Sequence, residues 1–357
     1  MVILGIESSC DETAAAVISE DGRKIRIHSN IIASQHEIHQ KYGGIVPELA
    51  SRRHMELILP IIEEALKQAG MKFEDLDGIA VTHTPGLVGS LLVGLQVAKS
   101  LAFSLKIPFI GVSHLEGHLY APLLENPTLD YPYIGLLVSG GNTALYHVKK
   151  FGDYDFLGGT RDDAAGEAFD KVAKLLGLGY PGGPIIDKMA KGGNPKAIRF
   201  TKGKIKGHPF DFSFSGLKTA VQRYVNATGG DGSSPRDRSS RTQLEGMPVD
   251  RTRPRALVAD LCASFQETVM EDLVEKTRLA AKKLKIRNSA VTGGVACNSS
   301  LRAKMPEAFF PSPLLCTDNA VMIAAVGLHL LKEGRRSPWN LNALANQDIR
   351  LNERGGV

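Results

Sequence analysis

The chain has 357 residues, enough for two ordinary domains and a sizeable buried core. Hydrophobic residues make up 43% and charged residues 23%, the composition of a soluble globular protein and not of a disordered or fibrous one. The net charge of +5, from 43 Lys and Arg against 38 Asp and Glu, is a mildly basic balance that does not by itself require nucleic acid.

The opening MVILGIESSC has no basic segment and runs into acids, which argues against a secretory signal. No apolar run is expected to reach membrane-spanning length, and no membrane association is expected. Cys10, Cys262, Cys297 and Cys316 lack C-x-x-C spacing and read as reduced thiols of a cytoplasmic or mitochondrial-matrix protein.

In chain order, residues 2–6 (VILGI) form a short apolar run read as a buried strand. Residues 14–18 and 24–32 extend it into a meander with the Asp21-Gly22 pair at the turn. Pro47 opens a helix that Gly70 closes, with Leu49, Ile58, Ile61, Ile62 and Leu66 at helical spacing. A strand at 78–83, an apolar helix at 87–105 and a strand at 107–112 follow. SHLEGHLYAPL then starts a helix with Ser113 as its N-cap. A second cycle opens at 131–148 with a strand, a Gly-Gly turn and a strand, echoing the N-terminal hairpin and marking the halves as structural repeats. Helices are predicted at 164–176, 184–191, 215–226, 255–284, 297–305 and 318–334, with a strand and turn at 288–294. The Gly-, Ser-, Pro- and Arg-rich segment 228–255 has too few apolar residues to offset its ordering entropy and reads as a mobile insert.

Basic residues cluster at Arg52-Arg53, at Lys202, Lys204, Lys206 and His208, and at Lys282, Lys283, Lys285 and Arg287. Each cluster alone reads as a solvated face or a helix C-terminus; together they permit a polyanionic partner.

His114 and His118 stand at i and i+4, so they share a helix face and can converge on one metal ion. The peptidase signature is H-E-x-x-H, whereas this chain reads H-L-E-G-H. Glu116 falls on another face, so the zinc-peptidase reading is poor. A metal site still needs a third ligand, and Asp318 is explained equally well as the N-cap of the last helix. The turns VSGGNT and TGGVACN each follow an apolar strand, and with GIESSCDET they form a phosphate-cradling arrangement. Neither is a P-loop or a G-x-G-x-x-G. Glu7, Asp11 and Glu12 are acids of the first turn, suited to holding an ion or orienting a nucleophile. Asp162 and Asp163 sit at a helix start, Asp170 lies further on, and YPGGP leads to Asp187, an acid placed to accept from a ribose hydroxyl.

GIESSCDET, SHLEGH, LVSGGNT, DDAAGEAFDKVAKLLGLGYPGGP, FSFSGLKTA, SFQE, GGVACNSSLR and CTDNA occur in this order. The chain thereby resembles the TsaD-type tRNA adenosine threonylcarbamoyltransferases, formerly called O-sialoglycoprotein endopeptidases, over nearly its whole length outside 228–255. Asn142 stands where many bacterial members have histidine, and 228–255 replaces a usually shorter connection.

The resemblance implies an α/β, actin-like or sugar-kinase-like (ASKHA) fold of two related RNase H-like domains around a nucleotide cleft. The first would span 1–130, with 319–357 packing back on it, and the second 131–318. It implies transfer of threonylcarbamoyl from threonylcarbamoyl-AMP to the exocyclic amine of the adenosine 3′ of the anticodon, in tRNAs reading codons that begin with A. It implies His114, His118 and Asp318 as ligands of iron or zinc. Leu137, Val138, Ser139, Gly140 and Gly141 would contact substrate through the turn backbone, and Asp170, Gly183, Asp187 and Asn298 its adenylate part. Asp11 and Glu12 would serve orientation or base assistance, and ATP, ADP or AMP can occupy the cleft. Implied partners are tRNA, a separate synthase that makes the adenylate, and either an inactive actin-like relative with a small ATPase or a second copy of the chain. A non-catalytic nucleotide-binding partner and a metallo-glycoprotease are the alternatives.

Overall fold

The computed structural model describes residues 1–22, 24–228 and 255–346. Two mixed sheets share one connectivity. In the first, β1 (Val2–Glu7), β2 (Glu12–Asp21) and β3 (Lys24–Ser34) form an antiparallel meander. β4 (Gly78–Thr84) and β5 (Phe109–Ser113) add in parallel on the other side of β1, giving the order β3-β2-β1-β4-β5. In the second, β6 (Tyr133–Val138), β7 (Thr143–Lys150) and β8 (Asp153–Gly159) repeat the meander, and β9 (Asn288–Thr292) joins parallel to β6, giving β8-β7-β6-β9. Hairpin registers Ile3↔Ile18 and Tyr133↔Val148 place the two turns, 8–11 and 139–142, at equivalent positions.

Period-two patterning sorts the first sheet's side chains onto two covered faces. Leu4, Ile6, Ala15 and Val17 pack with helices α2 (Pro47–Ala69) and α3 (Val88–Leu105), which follow the short α1 (His36–Gln40). Ile3, Ala14, Ala16 and Ile18 pack instead with the last helix, Ala320–Lys332. That helix returns from beyond the second sheet to lie across β1, β2, β4 and β5. Gly5 makes the approach possible: a Cβ there would lie 2.3 Å from the Ala320 carbonyl oxygen. In the second sheet, Ile134, Leu136, Val138 and Leu145 face a core built with α5 (Ala165–Leu175), α6 (Gly182–Ala190), α7 (Ser215–Thr228) and the thirty-residue α8 (Arg255–Leu284). The opposite face, with Tyr133, Leu137 and Tyr146, packs on Leu115 and Leu119 of α4 (His114–Glu125). The histidine-bearing helix therefore lies between the two sheets, in contact with both.

Pro47 and Gly70 bracket α2 as expected, the glycine at φ +66°. β8 and α1 escaped the sequence reading. β8 is an edge strand whose Asp153 and Asp155 pair with Lys149, so its acids hide the strand pattern. The expectation that no apolar run reaches membrane-spanning length is corrected: Val88–Leu105 has that length and composition. Its face of Leu91, Leu95, Ala98 and Ala102 is buried in the first core. The expected mobile insert lies, at 229–254, outside the described residues. After β9 come a 3₁₀ turn at Gly294–Cys297, α9 (Ser299–Lys304), α10 (Pro313–Cys316) and α11 (Ala320–Lys332).

Candidate metal centre and nucleotide cleft

A cleft of about 1910 Å³ opens between the sheets, bounded by the β1–β2 turn, the β6–β7 turn, the N-termini of α4 and α6, and the segment before α11. A small-ligand pocket occupies roughly 300–1,000 Å³, so this cleft has room for more than a nucleotide.

At its floor, His118 Nε2 lies 3.1 Å and His114 Nε2 3.5 Å from Asp318 Oδ1. One ligand atom from each residue falls within 4.8 Å of the others. The imidazoles come from the first two turns of α4, and the carboxylate arrives two hundred residues after His118. Asp318 is not the N-cap of the last helix. Asn319 is, its Oδ1 accepting from Met322 N at 3.1 Å, and this leaves the Asp318 carboxylate to face the histidines. Ser113 occupies the N-cap position of α4 without making the side-chain bond expected of it.

Behind the ligands lies Glu7, fully buried at the end of β1. Its Oε1 accepts from Ser9 N (2.6 Å) and its Oε2 from Thr82 Oγ1 (2.6 Å) and His114 Nδ1 (2.9 Å). A carboxylate on Nδ1 fixes the imidazole tautomer and leaves Nε2 as the ligating atom. Burial alone would drive protons off His114, yet Asp318 and Glu7 on either side hold its pKa well above the ordinary histidine value. Burial alone would raise Asp318, but the two imidazoles hold its pKa below the usual carboxylate range. These carboxylates thus call for positive charge at Nε2, from a proton or a cation. Two imidazoles, one carboxylate and an outer carboxylate on the ring fit a first-row divalent ion. Glu116 is buried on another face of α4, where Tyr154 donates to its Oε1 at 2.9 Å. It is therefore no base for a peptidase at this site.

Asp11 and Glu12 line the cleft in the first turn. Asp11 Oδ2 is buried without a hydrogen-bond partner, and Glu12 is held well above the ordinary carboxyl value by burial, then by the charges of Asp11 and Asp318. His54, which no motif marked, clamps this turn from α2: its Nδ1 bonds Thr13 Oγ1 at 2.8 Å and its Nε2 the Cys10 carbonyl at 3.0 Å.

The opposite wall begins at the second turn. Ser139, Gly140 and Gly141 line the cleft, while Leu137 and Val138 are wholly buried in β6 and their side chains do not reach it. Gly293, at φ +94°, lies so close to β6 that a Cβ would sit 2.3 Å from the Val138 carbonyl oxygen; only glycine lets the two turns approach. Asn298 spends its side chain on structure, with Oδ1 capping α9 through Ser300 N and Leu301 N and Nδ2 donating to Gln266. Asp187 accepts from Ser299 Oγ at 2.8 Å, and Gly183 lies open to the cleft. Asp162 and Asp163 do not face the centre: Asp162 accepts from Ser213, Phe214 and Ser215 at the start of α7, and Asp163 pairs with Lys171.

Asp170 Oδ1 accepts from Gly182 N at 2.7 Å, yet burial, aided by the charge of Asp11, pushes its pKa up to about 6. A folded-state value above the unfolded one contributes stability fully present below about pH 3.8 and lost as pH rises through about 6. Asp170→Asn keeps the acceptor for Gly182. Its melting temperature should therefore gain on wild type as pH rises from about 5 to about 7. Parallel melting curves across that range would show Asp170 to be freely solvated.

A family model described as tRNA N6-adenosine threonylcarbamoyltransferase (TsaD) matches residues 26–325. Relatives of that name include one from Symbiobacterium thermophilum, 51% identical and covering 96% of this chain and 95% of its own. Others are from Anaeromyxobacter sp. (50%; 96% and 98%) and Clostridium perfringens (48%; 99% and 99%). Among solved structures, full-length HypF in its phosphate- and nucleotide-bound form is similar at TM-score 0.58 and 14% identity, over 94% of this chain and 56% of that one. An activator of 2-hydroxyisocaproyl-CoA dehydratase from Clostridium difficile, with bound ADPNP, is similar at TM-score 0.51 and 14%, over 94% and 97%. These two establish the actin-like, sugar-kinase-like fold. Family match, identity over nearly the full length and the two-lobed fold agree: the chain belongs to the TsaD family of tRNA N6-adenosine threonylcarbamoyltransferases.

Proposed function

We propose that the chain transfers threonylcarbamoyl from threonylcarbamoyl-AMP to the exocyclic amine of the adenosine 3′ of the anticodon, in tRNAs reading codons that begin with A, releasing AMP. The observation that carries this reading is the meeting of His114 and His118 with Asp318 between two glycine turns. In the reaction a bond forms between the purine amine and the carbamoyl carbon, the bond from that carbon to the phosphate oxygen breaks, and the amine gives up a proton.

His114, His118 and Asp318 would hold iron or zinc, which supplies Lewis-acid polarisation of the threonylcarbamoyl group. Glu7 keeps the His114 ring in register. The Ser139–Gly141 backbone receives the substrate, and Asp170 and Asp187 accept from hydroxyls of its adenylate part. Asp11 and Glu12 stand at the reacting end. Glu12, which burial and the charges of Asp11 and Asp318 make a better proton acceptor than an ordinary carboxylate, is placed to take the amine proton. A purine amine is a weak nucleophile, so positioning matters more than base strength.

Bacterial relatives favour the bacterial partner set: a separate synthase for the adenylate, an inactive actin-like relative and a small ATPase, in the cytoplasm. The test supplies unmodified tRNA transcript, threonylcarbamoyl-AMP and those partners, and measures modified adenosine by mass spectrometry. His114→Ala and His118→Ala should each cut the rate by about 10²-fold or more. Rates matching wild type in both variants would sink the reading.

A further inference from the structure

The basic clusters prominent in the sequence are neutralised only in part, and the members left without a carboxylate within 4.0 Å among the described residues, Lys204, Lys206, Lys282, Lys283, Lys285 and Arg287, do not line the cleft. Arg52 pairs with Glu48, Arg53 with Glu56, and Lys202 with Glu271 and Glu275. A separate set of unpaired cations faces the cleft itself. Lys174 on α5, Lys188 and Lys191 at the end of α6, and Lys218 on α7 all line the cleft, and none has a carboxylate within 4.0 Å among the described residues. Lys171 lines it too, but Asp163 and Glu167 hold its ammonium.

All four free lysines belong to the wall of the second sheet. The facing wall contributes Asp11, Glu12 and the metal centre. Lys174 reaches across: a Cβ on Gly43, in the loop before α2, would lie 3.3 Å from its Nζ. Four ammonium groups that line one wall of a cleft without carboxylate partners make that wall positive, and such a wall points to an anionic occupant. An adenylate carries one phosphate, far too little for four ammonium groups, and the cleft exceeds what a nucleotide fills.

We propose that Lys174, Lys188, Lys191 and Lys218 seat the sugar-phosphate backbone of the RNA on either side of the target adenosine. Phosphate contacts of this kind set register, while the cleft takes the base out of its stack. The proposal rests on the transferase reading for the identity of the RNA alone.

The experiment measures anisotropy of a labelled, unmodified anticodon stem-loop on the full chain between about 50 and about 200 mM KCl. The quadruple variant K174A/K188A/K191A/K218A should lower the slope of log affinity against log salt by about 3, and each single variant by about 1. At the lowest salt the quadruple should bind at least about tenfold more weakly, and its arginine counterpart should restore the slope. AMP affinity, by calorimetry, should stay within about twofold, because these contacts lie outside the adenylate. Removing the same charge at Lys204, Lys206, Lys282 and Lys283, which do not line the cleft, should shift the slope by less than about 1. An unchanged slope in the cleft quadruple overturns the proposal, as does a slope lost equally in the control. A fall in AMP affinity matching the fall in RNA affinity would assign the lysines to the nucleotide and also overturn it. RNA binding that follows the expected slopes without any transfer leaves the proposal standing and defeats the transferase reading.

Discussion

Asp318→Ala should purify with almost no bound metal and transfer threonylcarbamoyl at about 10²–10³-fold below the wild-type rate. The carboxylate is the one ligand that reaches the centre from beyond the second sheet, and it lies within 3.5 Å of both imidazole Nε2 atoms. Its loss leaves two histidines on one helix, which cannot close a site alone. Asn319→Ala separates this effect from damage to the helix start. It removes the side-chain cap on Met322 N and should cost about 0.5–2 kcal/mol of stability, while metal content stays at wild-type level. Elemental analysis and thermal melting of the two variants read both effects. An Asp318→Ala protein that keeps its full metal content would move the centre elsewhere.

The Asp318 and Asn319 pair shows where sequence reading reaches and where it stops. CTDNA announces a helix start, but either side chain can cap, and only the observed backbone assigns the cap to Asn319 and frees Asp318. The two-lobed plan was legible because both hairpins carry the same period-two apolar runs around small-residue turns, and these became β1–β2 and β6–β7. His114 and His118 were legible as a pair because i and i+4 share a face whatever surrounds the helix. The lysines of α5, α6 and α7 had no such signal: they are scattered over 45 positions, and only the packing of the three helices puts them on one wall. Conversely, Arg52-Arg53 looked like a patch because adjacent charges are visible in sequence, while their partners Glu48 and Glu56 go unnoticed until the helix brings them alongside. Leu137 and Val138 came with the LVSGGNT motif, yet strand pairing draws them into the core and leaves only the turn in the cleft. Glu7 left one trace, an acid ending an otherwise apolar strand, and that trace does not say which ring it will meet.

Glu7→Gln should be among the most damaging isosteric changes in the chain, although Glu7 touches no substrate in the reading given above. The carboxylate accepts three hydrogen bonds, from Ser9 N, Thr82 Oγ1 and His114 Nδ1, in a place without solvent. An amide offers one acceptor oxygen and turns an NH₂ toward a donor at the other end, so at least one buried donor is left facing another. Removing one partner from a buried charged network costs about 3–5 kcal/mol, a large share of the roughly 5–15 kcal/mol that holds a domain together. The same change frees His114 to rotate and to take the other tautomer, and loss of such an outer partner weakens metal binding by about 10–100-fold. Thr82→Val deletes one donor without stranding the others and should cost only about 1 kcal/mol, with metal affinity little changed. Denaturant melts and a chelator competition on the two variants measure both quantities. If Glu7→Gln unfolds with the wild-type midpoint and holds its metal as firmly, the buried carboxylate is a bystander and the orientation of His114 has another cause.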